Sequence, residues 1–242
     1  MGQQWVGYII QDVEKQDEYI SSVPFMPGLT RVMMLDDEVC ETVLAEGRKE
    51  RDMKPIIAVG LLLMFTQCTA MAEKYQDRVE NSRSTVNEFM QSLKGELQAG
   101  MQQGGPVNAI GVCKLTAPGI ASTYRTKTGW DVGRTSLRVR NPDNAPDDWE
   151  TGVLNSFEKR KAAGESVAAM EFYEVTRHEG EEVFRYMKAI PTLELCTVCH
   201  GEQLDPEASK RISELYPHDQ ATGFRPGDIR GAFTIIQPLA SE

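Results

Sequence analysis

Cys196-Thr197-Val198-Cys199-His200 sets two thiols three positions apart, with an imidazole directly after the second. These five residues are the sharpest signal in the chain. Thiols at this spacing can each add to one vinyl group of a haem, and the adjacent imidazole is then delivered to one axial face of the iron. The same residues also admit a chance pair, a disulfide, or a zinc site in which Cys113 and His200 complete a set of four with the two motif cysteines. Covalent haem attachment in bacteria occurs outside the cytoplasm, so the haem reading requires an exported chain.

A separate segment carries that signal. Arg48, Lys49, Arg51 and Lys54 precede the mostly apolar run Pro55 to Phe65, and Ala70-Met71-Ala72 follows just before Glu73. A basic flank, a short apolar stretch and a small-x-small exit are the parts of a secretory signal, and the run is too short to span a bilayer. Residues 53–72 are therefore expected to form a signal peptide cleaved after Ala72. Met53 is then the expected start, residues 1–52 a non-native or disordered N-terminal extension, and residues 73–242 the mature, periplasmic domain. In an oxidising compartment the mature chain keeps three cysteines, Cys113, Cys196 and Cys199, so one thiol is left over.

The remaining composition narrows the class. With 26 Lys+Arg against 36 Asp+Glu the chain has a net charge of −10, which disfavours a phosphate backbone as ligand. No apolar run approaches the length of a membrane span, so the mature form is expected to bind neither nucleic acid nor cross a membrane. Hydrophobic residues make up 40%, enough for one packed core without disulfide staples.

Periodicity organises the mature chain. Val79, Val86, Met90, Leu93 and Leu97 share a helical stripe, predicting a long opening helix that ends near Gly100 or Gly104-Gly105. After Pro106, Ile110, Cys113, Ala117 and Ile120 fall on one face of a second helix, with Pro118 expected to kink or restart it. Thr135, Leu137 and Val139 alternate like a strand. Asp147 and Glu150 form a capping box for a helix carrying Trp149, Val153, Leu154 and Phe157. Val167 to Arg177 and Val183 to Ile190 read as a hairpin joined at His178 to Glu181; a short helix starts at Asp205-Pro206, and Ile229 to Gln237 is a last strand. Helices first and then mostly antiparallel strands define an α+β domain, one sheet covered by helices.

The iron would need a sixth ligand or an open face. Cys113, His178, His218, Met90, Met101, Met170 and Met187 are the candidates. His178 reads as a solvated hairpin tip, His218 lies in a turn, and methionines at regular positions are more often core filler. Cys113 is the leftover thiol on an apolar face; as an iron thiolate it would account for the odd cysteine.

Three blocks carry a resemblance: Arg134 to Glu150 (RTSLRVRNPDNAPDDWE), Cys196 to Gly201, and Tyr216 to Gly231 (YPHDQATGFRPGDIRG). Together they resemble the Tll-type PAS-like c-type haem domain family of bacteria and cyanobacteria, formerly catalogued as a domain of unknown function. The likeness runs from the first helix to about Pro238. It implies a PAS-like antiparallel sheet flanked by helices with a long N-terminal helix. It also implies one covalent haem c held by Cys196 and Cys199, with His200 facing a cysteine ligand at the position of Cys113. An anionic sulfur donor would favour ferric iron and leave on reduction, opening a face to carbon monoxide or nitric oxide. Arg134, Arg138, Arg140 and Arg230 are candidate partners of the haem propionates, one or two of them at most. The expected function is a periplasmic redox or diatomic-gas sensor that signals to a separate protein. The alternative is a periplasmic electron-transfer cytochrome. Enzymatic turnover of the peroxidase type is not expected, since Cys113 would fill the distal face.

Overall fold

The computed structural model describes residues 75–239, so the expected extension and signal segment lie outside the described residues. Among them no helix is long and apolar enough to cross a membrane.

The chain opens with α1 (Gln76–Thr128), whose helical dihedrals fail only at Gly104 and Gly105, where the latter has φ of 66°. Only glycine takes that left-handed conformation without strain, and Pro106 then restarts the helix with φ already set. The two arms, 76–103 and 106–128, fold back antiparallel. Asn108 donates to the Gly100 carbonyl at 2.9 Å, Ser92 and Tyr124 hydroxyls lie 3.0 Å apart, and Lys127 pairs with Glu88. Both predicted helices are therefore present as one hairpin. The second arm keeps helical dihedrals through Pro118, so the helix does not restart there.

Next come β1 (Asp131–Thr135), a 3₁₀ turn at Pro142–Asn144, α2 (Asp148–Ala162), and a second 3₁₀ turn at Val167–Ala169. β2 (Glu171–His178), β3 (Glu181–Pro191), α3 (Glu194–His200), α4 (Pro206–Leu215) and β4 (Ile229–Pro238) complete the fold. The four strands form one antiparallel sheet in the order β1-β4-β3-β2. The α+β class, with its long N-terminal helix, is as expected.

One strand is displaced from its predicted place. Pairing ends at Thr135↔Ala232, and Leu137 is 40% exposed instead of alternating inward. Ser136 ends the ladder: its hydroxyl donates to the Arg230 carbonyl at 2.8 Å and accepts from the Arg138 amide at 3.2 Å. A side chain that satisfies neighbouring backbone groups competes with sheet pairing, which alternation alone does not register.

The sheet is packed on both faces. On one, Val79, Val86 and Phe89 of the first arm meet Val132, Phe184, Tyr186, Phe233 and Ile235. On the other, Val153, Leu154 and Phe157 of α2 meet Met170, Met187, Ala189 and Ala232. α2 starts as predicted, with Asp147 accepting from the Glu150 amide at 2.7 Å and Glu150 accepting from the Asp147 amide at 3.1 Å. A third apolar cluster joins Ile110 of the second arm to Ala208, Ile212 and Tyr216, with Cys199 packed against it. That cluster brings the second arm and the five-residue box together.

Candidate functional site

The box forms α3, and its last turn is held by a loop that follows α4. Phe224 N donates to the His200 carbonyl at 2.9 Å and Gly223 N to the Gly201 carbonyl at 2.8 Å, a short parallel pairing between Gly201 and Phe224. A Cβ on Gly201 would stand 2.5 Å from the Thr197 carbonyl oxygen, so the residue after the box has to be glycine if the helix is to turn directly into this pairing.

The His200 ring is fixed by its own hydrogen bond. Nδ1 lies 2.7 Å from the Ala221 carbonyl oxygen, which can only accept, so Nδ1 carries the proton and the Nε2 lone pair is free. Burial, with Arg230 and Arg140 nearby, holds the imidazole well below its ordinary value against the opposing hydrogen bond to Ala221. A neutral imidazole with its second nitrogen anchored to a carbonyl is what a metal-ligating histidine requires. Phe224 stands edge-on to the ring at 6.3 Å between centroids and 89°.

Cys113 lies on the second arm and is exposed to solvent, a correction to the reading that placed it with the core residues of that helix. Ile110, one turn earlier, is the residue that is buried. The surrounding chain pushes the Cys113 thiol up, against the pull of Arg134 and Arg140, and it is electrostatically coupled to Cys199 and Tyr216. Burial also raises Cys196, and raises Cys199 to about 11. All three cysteines are free and mainly protonated thiols.

The other sequence candidates fall elsewhere. His178 ends β2 with its Nδ1 4.0 Å from an Asp147 oxygen, and His218 is exposed. Met170 and Met187 are fully buried in the core beside α2, Met90 packs on the opposite core, and Met101 sits near the hairpin bend. Among the described residues no group of three or more His, Cys, Asp or Glu side chains converges closely enough to hold a metal ion. A structural zinc site needs four protein donors around one centre, and the described residues do not bring four together. A haem brings four nitrogen donors of its own and asks the protein for one ligand per face.

The four arginines separate into different roles. Arg140 Nη2 donates to the Cys199 carbonyl at 2.6 Å, and its guanidinium grips both Asp219 oxygens at 3.1 Å. Arg138 is exposed, donates to the Thr222 carbonyl and lies 3.8 Å over the Phe224 ring. Arg134 lies 6.0 Å over Phe89, and Arg230 contacts Ser136 Oγ at 3.3 Å and the Arg138 carbonyl at 3.4 Å. Among the described residues neither Arg134 nor Arg230 has a carboxylate in salt-bridge contact. Burial and the neighbouring Arg140 and Arg134 charges pull Arg230 down to about 10. A surplus of half-buried positive charge beside the Cys196, Cys199 and His200 side chains suits an anionic group.

The sequence reading missed Ala221, Asp219 and Tyr216. Tyr216 is 7% exposed and raised to about 12, and Lys114 Nζ lies 4.8 Å over its ring. All three residues lie inside the Tyr216 to Gly231 block, but no spacing rule assigns a backbone carbonyl to a histidine.

Fold and site together describe an α+β domain with two thiols and one neutral histidine on a single short helix beside a cluster of arginines. Residues 63–238 match the Tll0287-like family, and the chain belongs to that family. The match begins ten residues before Glu73, inside the apolar segment. Among solved structures, the crystal structure of the cyanobacterial heme-protein Tll0287 aligns with a TM-score of 0.52 at 23% identity, over 69% of this chain and 98% of that one. At that identity the likeness speaks to the fold alone. No curated protein matches the chain.

Proposed function

We propose that this chain is an exported c-type haem protein carrying one haem, and that it senses redox poise or a diatomic gas. Cys196 and Cys199 form the two thioether links, and His200 offers Nε2 to the iron. Cys113 offers its sulfur from the other face, and Arg134 and Arg230 pair with the propionates. The observation that carries this reading is the His200 ring, fixed as the Nδ1–H tautomer by Ala221, beside Arg134 and Arg230, which among the described residues have no carboxylate in salt-bridge contact. The family membership and the described heme protein with the same fold support it. When bound, haem supplies a one-electron ferric/ferrous couple.

The chain's own groups determine how that couple would respond. Cys113 is a protonated thiol in the absence of a cation, so it ligates only after losing its proton, and Arg134 and Arg140 favour the thiolate. A thiolate at Cys113 would favour ferric over ferrous iron, its protonation would weaken its hold on the group, and a weakly held sulfur would make the protein responsive to carbon monoxide or nitric oxide. Covalent attachment supports a periplasmic location. A sulfur on the distal face argues against peroxidase turnover. Electron transfer is the second reading, favoured by one observation: Cys196 and Cys199 are only half-buried, so an attached ring would reach the surface.

The test is protein produced with export and haem maturation. Mass spectrometry should show one haem per chain, lost completely in the Cys196→Ala/Cys199→Ala double variant. Reduced protein that takes up carbon monoxide supports sensing. Reduced protein that stays six-coordinate and exchanges electrons with a small cytochrome supports transfer.

A further inference from the structure

The Ala221 carbonyl accepts two hydrogen bonds, one from His200 Nδ1 at 2.7 Å and one from Arg140 Nη2 at 3.2 Å. The same guanidinium is locked by both oxygens of Asp219, and Asp219 Oδ1 accepts from the Ala221 amide at 2.9 Å. Arg140, Asp219 and Ala221 therefore close a ring of hydrogen bonds against the back of the histidine. Both charged side chains are nearly buried, at 12% and 8% exposure, so solvent screens them little. Donors that share one carbonyl oxygen compete. A cationic donor draws electron density from the oxygen and weakens the bond the imidazole N–H makes to it. The imidazole then acquires less anionic character, and a less anionic imidazole is a weaker donor through Nε2.

We infer that Arg140 is a positioning residue that sets the donor strength of His200 through the carbonyl of Ala221. This rests on the reading of His200 as an axial ligand. The loop that carries this carbonyl is also held by bonds that do not involve Arg140: Gln220 N donates to the Val139 carbonyl at 2.9 Å and Phe224 N to the His200 carbonyl at 2.9 Å. Removing the guanidinium should thus leave the acceptor in place and remove its competitor, together with the bonds to Asp219 and the Cys199 carbonyl.

The experiment compares wild type, Arg140→Gln and Arg140→Lys in two readouts. In haem-free full-length protein, the His200 Nδ1 proton should move downfield in Arg140→Gln as its hydrogen bond strengthens. In the haem-loaded protein the potential should become more negative, and the ferric-to-ferrous ratio at a fixed poise should rise on the order of tenfold. Arg140→Lys, which keeps the charge without the planar fork, should fall between, and it serves if the Gln variant does not fold. Unchanged proton shift and potential in a folded variant overturn the inference and leave Arg140 as a loop clamp. If wild-type protein holds no haem, the axial reading fails, while the proton shift still decides the link from Arg140 to Ala221 and His200.

Discussion

Arg185 on β3 is a buried cation and Arg230 on β4 a half-buried one, and among the described residues only the first has carboxylates in salt-bridge contact. Arg185 is 2% exposed, with Asp147 at 2.7 Å, Glu150 at 3.3 Å and the Trp149 ring 4.1 Å away. It ties the start of α2 to the sheet and has the counter-charges that a buried ion needs to be tolerated. Arg230 shares its surroundings with Arg134 and Arg140, and Asp219 among them is already gripped by Arg140. The contrast teaches that the same side chain serves the fold where its charge is matched within the chain. Where the charge is left in surplus, it points to a ligand.

The largest effect should come from breaking the matched region. Asp147→Ala removes both the cap of α2 and the nearest partner of Arg185, and should cost about 3 kcal/mol in denaturant unfolding. The haem spectrum should stay as in wild type. The unmatched region should respond with the opposite sign: Arg230→Met in haem-free protein should raise stability by roughly 1 kcal/mol, because like charges are relieved. With haem bound the same substitution should be destabilising relative to wild type, a reversal that a structural arginine would not show.

A smaller effect concerns pH. The folded His200 pKa lies well below 6.5, the ordinary imidazole value, whereas the unfolded chain keeps that value. The unfolded state binds the extra proton between the two, so stability of the haem-free protein is full above about pH 6.5 and falls as the solution is acidified through that range. Asp147 and Glu171, held below ordinary values of 3.8 and 4.5, lose their contributions only at lower pH. Denaturant midpoints at about pH 7.5 and about pH 5.5 measure the difference, which His200→Gln should reduce.

Much of the fold was legible because its signals are local. The capping box at Asp147 and Glu150, the break before Pro106, the hairpin turn at Glu179-Gly180 and Pro206 at the start of α4 each rest on a few neighbouring residues. The β1 boundary was misplaced because Ser136 bonds to Arg230, 94 positions away. The box itself was plain from five consecutive residues, and Cys113 stood out only as a leftover thiol and through family resemblance. Its exposed position, and the division of labour among Arg134, Arg138, Arg140 and Arg230, depend on how the second arm packs against α4, which periodicity does not reveal. The carbonyl of Ala221 carries no side-chain signal at all.

The most direct measurement is the absorption spectrum of exported, haem-matured protein beside its Cys113→Ala variant. The account predicts covalently bound, low-spin ferric haem in the wild type, and loss of the sixth ligand with conversion to high spin in the variant. A colourless wild type, or a variant with the spectrum of the wild type, would contradict it.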